Sequence, residues 1–334
     1  MSDTETNNDN KAPLPVMRFV PRFRTVRWGG RRIAGFKGVE LPSDRVGESW
    51  EISPLEGMET FVADGPYEGM TPNELVREFG SELMGEKLCS RFGARFPLLI
   101  KFIDAEDDLS IQVHPDDSAS DGNGKTELWY IIDAAPGSHI YSGLNRELTP
   151  DEMVSLIKNR DLADVLAKHY PQSGDVFYIP AGRVHSAGAG NFVLEIQQPS
   201  DITYRLWDWD RRDRDGKLRE LHVEQALKAI DYSQTDYGLA RPQLLSDRET
   251  VVKRTPFFTV TAMNIVSQVK LPVASRRSFC VLVAVEGSGI VTDPQNRKTT
   301  ISRGQTLLVP ASTEKVSITS KGDEPLRLIT VYIE

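Results

Sequence analysis

The feature that most constrains the fold is an internal repeat. The segment S-G-D-V-F-Y-I-P-A-G-R-V-H, residues 173–185, aligns without gaps with R-G-Q-T-L-L-V-P-A-S-T-E-K, residues 303–315, so that Gly174 meets Gly304, Pro180 meets Pro310 and Ala181 meets Ala311. A second match sets L-W-Y-I-I-D-A-A-P-G-S-H-I, 128–140, against S-F-C-V-L-V-A-V-E-G-S-G-I, 278–290, with Gly137 on Gly287. Each copy is a short apolar run between Gly and Pro, the mark of a strand bounded by turns. Other such runs are F-P-L-L-I-K-F-I and F-V-L-E-I-Q-Q. Many short strands arranged in two copies predict a mainly β chain of two related barrels. The offsets, 130 and 150, differ by about the length of a helical insert near 145–170, which places inserted helices in the first copy.

Helix signals are few. Thr71, Pro72 and Glu74 form an N-terminal capping pattern, with Gly80 as the stop, and Thr149, Pro150 and Glu152 repeat it. The stretch 221–230 reads as a third helix. The division expected is a loose polar tail over 1–14, a site-bearing barrel over 15–240 and a second barrel without metal over 241–334. The tail has no apolar core of a signal peptide, no run is long enough to span a membrane, and Cys89 and Cys280 are too few for a disulfide framework. A cytoplasmic protein is the expectation.

The formal charge of −8 argues against nucleic acid or an anionic membrane as partner. An anionic small molecule would need local positive charge or a metal. L-S-I-Q-V-H-P-D-D, residues 109–117, offers the start of such a site: in a strand, Gln112 and His114 project to one face. Glu127 opens the strand T-E-L-W-Y, and His185 follows the turn I-P-A-G-R-V into another. Two imidazoles, a carboxylate and an amide oxygen from three strands suit a borderline ion such as Zn²⁺. The second copy has Lys315 in place of His185, and Glu127 falls near Arg277, as expected of a site present once. Lys125 lies two residues before Glu127, on the same face; Lys101 and Arg205 add positive charge nearby. His139, His169 and His222 read as packing or surface residues, and the glycines of 186–191 as a turn between strands.

The motifs G-E-S-W-E-I-S (47–53), L-S-I-Q-V-H-P (109–115), K-T-E-L-W (125–129), G-D-V-F-Y-I-P-A-G-R-V-H-S (174–186) and L-E-I-Q-Q-P-S-D-I-T-Y-R-L-W-D-W (194–209), with W-G-G at 28–30, closely resemble type I mannose-6-phosphate isomerase in its short bacterial form. The resemblance runs from about residue 15 to the C-terminus. It implies cupin-type (jelly-roll) barrels and one zinc ion held by Gln112, His114, Glu127 and His185. It implies a sugar-phosphate substrate, with Arg205 and Lys125 facing it and Ser110 and Lys101 holding its phosphate. Asp201 and Glu195 are the carboxylates near Arg205 from which a base would come, and either fits. Longer members carry a histidine where this chain has Gly124, so another group or water would open the sugar ring. Rival readings of the same ligands are a non-haem iron oxygenase and a sugar-binding cupin without turnover. Oligomeric state is not legible.

Overall fold

In a computed structural model, residues 12–212, 215–233 and 237–334 are described. The expected tail lies outside them up to residue 11. Pro13 and Leu14 are tied down: Leu14 is 3% exposed, and Arg297 donates to the carbonyls of Pro13 and Leu14. The apolar side chain of Leu14 is what carries the chain into the core before the first strand.

The fold is mainly β, two jelly-roll barrels of antiparallel strands. In the first, one sheet runs in the order Leu239–Ala240, Val176–Ile179, Glu127–Ala134, Asn191–Gln197, Leu99–Ala105, Arg22–Gly30, Val46–Ile52. It faces a sheet ordered Tyr204–Trp207, Ile111–Val113, His185–Ala187, Ile140–Leu144, Leu166–His169. The second barrel repeats this pairing, with Thr259–Ile265, Leu326–Tyr332, Cys280–Glu286 and Thr306–Val309 opposite Gln268–Leu271, Val316–Ser320, Ser288–Thr292 and Lys298–Ser302. One strand crosses the sequence boundary: Met17–Val20 pairs with Thr306–Val309, placing Met17 opposite Leu308 in the second barrel.

The large sheets lie back to back. Phe102, Leu128, Leu194 and Ile196 of the first pack in one core with Val260, Val281, Ile329 and Val331 of the second. The opposite faces of the same strands line each barrel, with Ile103, Trp129, Phe177 and Val193 in the first and Met263, Leu282, Leu307 and Leu328 in the second. Because both faces are covered, all seven residues of Leu99–Ala105 and of Asn191–Gln197 are buried. This is why the sequence shows continuous apolar runs and little alternation.

The capping patterns form as expected. Thr71 Oγ accepts the Glu74 N–H at 3.2 Å, and Glu74 Oε2 accepts the Thr71 N–H at 2.8 Å; Thr149 and Glu152 repeat the arrangement. Gly80, at φ 46° and ψ −117°, breaks the helical path, yet a further turn follows and the element runs Pro72–Met84. The third helix is Val223–Ala229. Helices Arg32–Lys37 and Glu86–Phe92 had no signal: the first lacks a side-chain cap, and the second begins at a glycine. The insert Pro150–Asn159 sits between Ile140–Leu144 and Leu166–His169, where the second barrel has only a tight turn.

The back-to-back core generates a stability prediction. Phe102 is fully buried, its ring 5.2 Å edge-on from Phe36. Phe102→Ala is expected to cost about 3–5 kcal/mol in urea unfolding, as large-to-small changes in a packed core do. Val266→Ala, at a 54% exposed position, should stay within about 0.5 kcal/mol. Equal, small effects would mean that the barrels do not depend on this interface.

Candidate metal centre

Three neighbouring pieces of backbone bring the candidate ligands together. His185 is paired with Gln112 across the small sheet. The turn before His185 bends at Gly182, φ 86°, whose N–H donates to the carbonyl of His114 at 2.9 Å. Glu127 enters from the facing sheet, between Ile179 and Gln197 in the ladder. All are enclosed: His114 is 1% exposed, and Glu127 and His185 are completely buried.

The distances define a small polar centre inside the barrel. His114 Nε2 is 3.5 Å from Glu127 Oε2, and His185 Nε2 is 3.3 Å from Glu127 Oε1. Candidate donor atoms of the three residues all lie within 4.8 Å of one another, and they form the one such His/Cys/Asp/Glu group among the described residues. His114 Nδ1 donates to the Ile202 carbonyl and His185 Nδ1 to that of Arg183, both at 2.8 Å. Each ring therefore turns Nε2 inward as a lone pair, the orientation that a metal-binding histidine needs. His114 Nε2 and Glu127 Oε1 are buried and face no hydrogen-bond donor, whereas Glu127 Oε2 has Lys125 Nζ at 2.9 Å. Buried polar atoms are seldom left unpartnered, and a cation at the centre would satisfy both. Gln112 Nε2 lies 3.3 Å from His185 Nε2, while its Oε1 accepts from Ser110 at 3.2 Å. Ligation through Gln112 oxygen requires this amide to turn over.

Charge is balanced around the ligands. Lys125 Nζ is 2.9 Å from Glu127 Oε2 and 3.9 Å from Glu195 Oε1. Lys101 Nζ is 3.2 Å from Glu195 Oε1, 3.9 Å from Glu48 Oε2 and 4.4 Å above the Trp50 ring. Burial pulls Lys125 toward its neutral form, but Glu127 and Glu195 outweigh it and hold the ammonium charged, above its usual range. The two carboxylates part ways. Burial disfavours ionisation of Glu127, yet Lys125 and the histidines hold it well below the usual value. Glu195 is pushed up, by burial first and then by Glu127, against the pull of Lys125 and Lys101. Trp129 Nε1 donates to its other oxygen at 3.0 Å. Asp201 sits at the mouth, its side chain 46% exposed and 3.0 Å from Arg24 Nη1. Its burial is outweighed by Lys101, Arg24 and Lys125, which hold it below the usual range.

The residues expected from the sequence thus meet in one barrel: Gln112, His114, Glu127 and His185 at the centre, Lys125, Lys101 and Glu195 beside it, and Ser110 on Gln112. Arg205 is half-buried opposite Gln112 in the ladder. Glu48, Trp50 and Arg24 were missed. Glu48 and Trp50 stand in the G-E-S-W-E-I-S motif, which could have pointed to them; nothing local marked Arg24. A cavity of about 430 Å³ is lined by Trp50, Asn123, Pro199, Asp201 and Ile202, the residue whose carbonyl accepts from His114. Gly124 admits no side chain: a Cβ there would lie 2.5 Å from Asp117 N and 2.7 Å from Asp116 C. A glycine at 124 is therefore built into the loop.

The ladders also correct the second repeat. Ile179 pairs with Glu127 and Val309 with Cys280, so with Ile179 matched to Val309 the counterpart of Glu127 is Cys280, not a residue near Arg277. The first copy has three more residues between this point and the glycine turn, and the ungapped match hides them. By the same pairing, Glu195 and Lys101 correspond to Thr330 and Thr261.

Comparison with known proteins agrees with this arrangement. A family model for "Phosphomannose isomerase type I, catalytic domain" matches residues 16–129, and one for "Mannose-6-phosphate isomerase, cupin domain" matches 247–333. The chain is 36% identical over 278 residues to mannose-6-phosphate isomerase ManA of Bacillus subtilis, covering 81% of this chain and 85% of that one. It is 37% identical over 272 residues to mannose-6-phosphate isomerase of Streptococcus mutans, covering 79% and 83%. The crystal structure of the mannose 6-phosphate isomerase from Bacillus subtilis superposes with a TM-score of 0.81 at 31% identity, over 96% of this chain and 100% of that one.

A pH dependence follows from His114. Burial, then Lys125, push its imidazole from 6.5 down to about 3. As pH falls from about 6.5, the unfolded chain takes up a proton that the folded chain refuses, so the contribution to stability is complete above that pH and lost as pH drops toward 3. Metal-stripped protein should lose urea resistance from pH 6.5 to about pH 4, and His114→Gln should lose less over the same interval. Identical slopes would show that His114 is not held neutral.

Proposed function

The chain belongs to the type I phosphomannose isomerase family, and on that premise we propose that it interconverts mannose 6-phosphate and fructose 6-phosphate at a zinc centre held by Gln112, His114, Glu127 and His185. The observation that carries the zinc reading is the set of unpartnered, fully buried donor atoms on His114 and Glu127. Two imidazoles, a carboxylate and an amide oxygen fit zinc's preference for nitrogen and oxygen. When bound, zinc supplies positive charge for the oxygens on C1 and C2. We propose it for the barrel of residues 15–240 only, since Cys280, Thr330 and Thr261 occupy the corresponding positions of 241–334. No helix of the described residues is long and apolar enough to cross a membrane, and a cytoplasmic location is part of the same reading.

The reaction moves a proton between C1 and C2 through a cis-enediol or enediolate. It needs a base, stabilisation of the developing oxyanion and an anchor for the phosphate. Lys125, kept protonated, donates toward the oxygens and does not act as a base. Glu195, pushed up by its surroundings, can hold and release a proton, whereas Asp201 remains a fixed negative charge that orients Arg24 at the mouth; environments that drive two carboxylates apart assign their roles. Arg205 offers a planar fork to the two adjacent oxygens of the enediolate. Ser110 and Lys101 are the polar groups proposed toward the phosphate. A non-haem iron oxygenase shares the ligand types, but the family relationship and these lysines favour an anionic sugar.

Two experiments test this reading. Metal analysis of purified protein, with a coupled assay of mannose 6-phosphate conversion under argon, should find zinc and oxygen-independent turnover; turnover that requires oxygen would sink the isomerase. His114→Ala and His185→Ala should each lose the metal and nearly all activity, and Lys315→Ala should keep both. Arg205→Lys should keep its zinc and lower kcat by about 10²-fold with little change in KM, the scale of removing one oxyanion donor. A zinc-replete Arg205→Lys enzyme with wild-type kcat would remove Arg205 from that role.

A further inference from the structure

Trp129 follows Glu127 by two residues in the strand Glu127–Ala134, so both side chains point into the first barrel. Trp129 is 1% exposed, and the ladder sets it opposite Glu195. Its indole meets two groups of the site at once. Nε1 donates to Glu195 Oε2 at 3.0 Å, and the ring stands edge-on to His185, with centroids 5.3 Å apart and planes at 77°. Edge-to-face contact is a favoured aromatic geometry, and a buried indole N–H needs an acceptor. Here that acceptor is the carboxylate read above as the carrier of the reaction's proton.

The second barrel shows that packing alone does not call for an indole at this point. With Glu127 matched to Cys280, the ladders match Trp129 to Leu282, and the cross-strand pair of Trp129 and Glu195 to that of Leu282 and Thr330. Leu282 is fully buried there, and Thr330 shares its hydrogen bond with Thr261 instead. Where the carboxylate is absent, the N–H donor is absent too. The end torsion of a glutamate is broad, so the backbone does not fix its carboxyl plane. In Glu195 the two oxygens are held separately: Oε2 by Trp129, and Oε1 by Lys101 Nζ at 3.2 Å with Lys125 Nζ at 3.9 Å. The lysines are point charges on flexible stems, whereas the indole is a rigid ring on a central strand.

We propose that Trp129 is a positioning residue of the isomerisation: its N–H pins Oε2 of Glu195, so that Oε1, on the side of Lys125, is the oxygen that takes a proton from one carbon of the substrate and returns it to the other. The proposal rests on the reading of Glu195 as the proton carrier. The electron pair of the broken C–H bond passes into the enediolate and is used again when the proton returns, so no further reactant is required. Because the same ring backs His185, one side chain sets a candidate metal ligand and the proton carrier in a fixed relation. Misplacing a reacting group by about 1 Å costs up to about 10²-fold in rate. Trp129 acts through Glu195 in the chemical step, so its loss falls on kcat and leaves KM nearly unchanged.

The test joins mannose 6-phosphate kinetics to NMR of the indole N–H groups in zinc-loaded protein carrying ¹⁵N-labelled tryptophan, of which the chain has five. Trp129→Phe keeps a ring beside His185 and removes the donor; it should retain zinc and lower kcat by about 10-fold or more, with KM within about 3-fold. Added to Glu195→Gln, it should lower kcat no further, whereas a packing role would lower it in both backgrounds. In Glu195→Gln alone, one indole resonance should shift upfield as its acceptor loses charge, and this measurement does not require the Trp129 variant to fold. A Glu195→Gln protein in which no indole resonance moves would overturn the role. So would wild-type kcat in folded, zinc-replete Trp129→Phe while Glu195→Gln is slow, and that result leaves the isomerase reading standing. Wild-type protein that shows the bond yet converts no mannose 6-phosphate brings down the isomerase reading, and the positioning role with it.

Discussion

The structure depends on one buried carboxylate. Glu127 has no access to water, yet it is held ionised by Lys125 at 2.9 Å and faced by the Nε2 atoms of His114 and His185. Burying an unpaired carboxylate costs several kcal/mol, and removing one partner of a buried pair about 3–5 kcal/mol. The barrel must therefore deliver several partners to one point. It does so with strands whose pairing leaves little freedom: Gln112 opposite His185, Ile179 and Gln197 flanking Glu127, and Gly182 tied to the carbonyl of His114. The same closure that makes the charge expensive also raises the strength of its interactions with a cation.

The second barrel shows what this geometry becomes without ligands. At the ladder positions of Glu127, Glu195 and Lys101 it carries Cys280, Thr330 and Thr261. Thr261 and Thr330 share a hydrogen bond at 2.5 Å, Thr261 also donates to Glu249, and Arg276 reaches Glu249, Thr330 and the sulfur of Cys280. None of these side chains has a buried donor or acceptor left unpartnered. Burial pushes the Cys280 thiol up to about 11, against the pull of Arg276, so it stays neutral. The polar end of this barrel satisfies itself within the protein. That of the first leaves His114 and Glu127 atoms open, and the contrast between two copies of one fold is the physical argument that the first is built for an ion.

The two barrels also act as each other's solvent screen. Their large sheets cover one another, so the strands that present Glu127 and Glu195 inward are packed by Leu128, Leu194 and Ile196 on the outside. A side chain displaced on the outer face would shift the inner one along the same strand, because adjacent residues alternate between faces. The N-terminal strand, paired into the second barrel, extends this coupling across the whole chain.

Much was legible in the sequence because strand periodicity and turn chemistry are local. Runs bounded by Gly and Pro marked the strands, Thr-Pro-x-Glu marked two helices with their caps, and a Q-x-H spacing placed two side chains on one face. The four proposed ligands stood in motifs whose residue types already suggested a cation. The tertiary structure alone decided the rest. Register within the second repeat depends on residues inserted in a hairpin, which an ungapped alignment conceals. Arg24 lies far along the chain from Asp201, which it meets, and no local pattern records such a meeting. Whether a buried carboxylate is held charged, as Glu127 is, or pushed toward its neutral form, as Glu195 is, depends on which cations the folded barrel brings near. Residue identity and local spacing are properties of the chain, whereas electrostatic environment is a sum over distances that exist only once the sheets have closed.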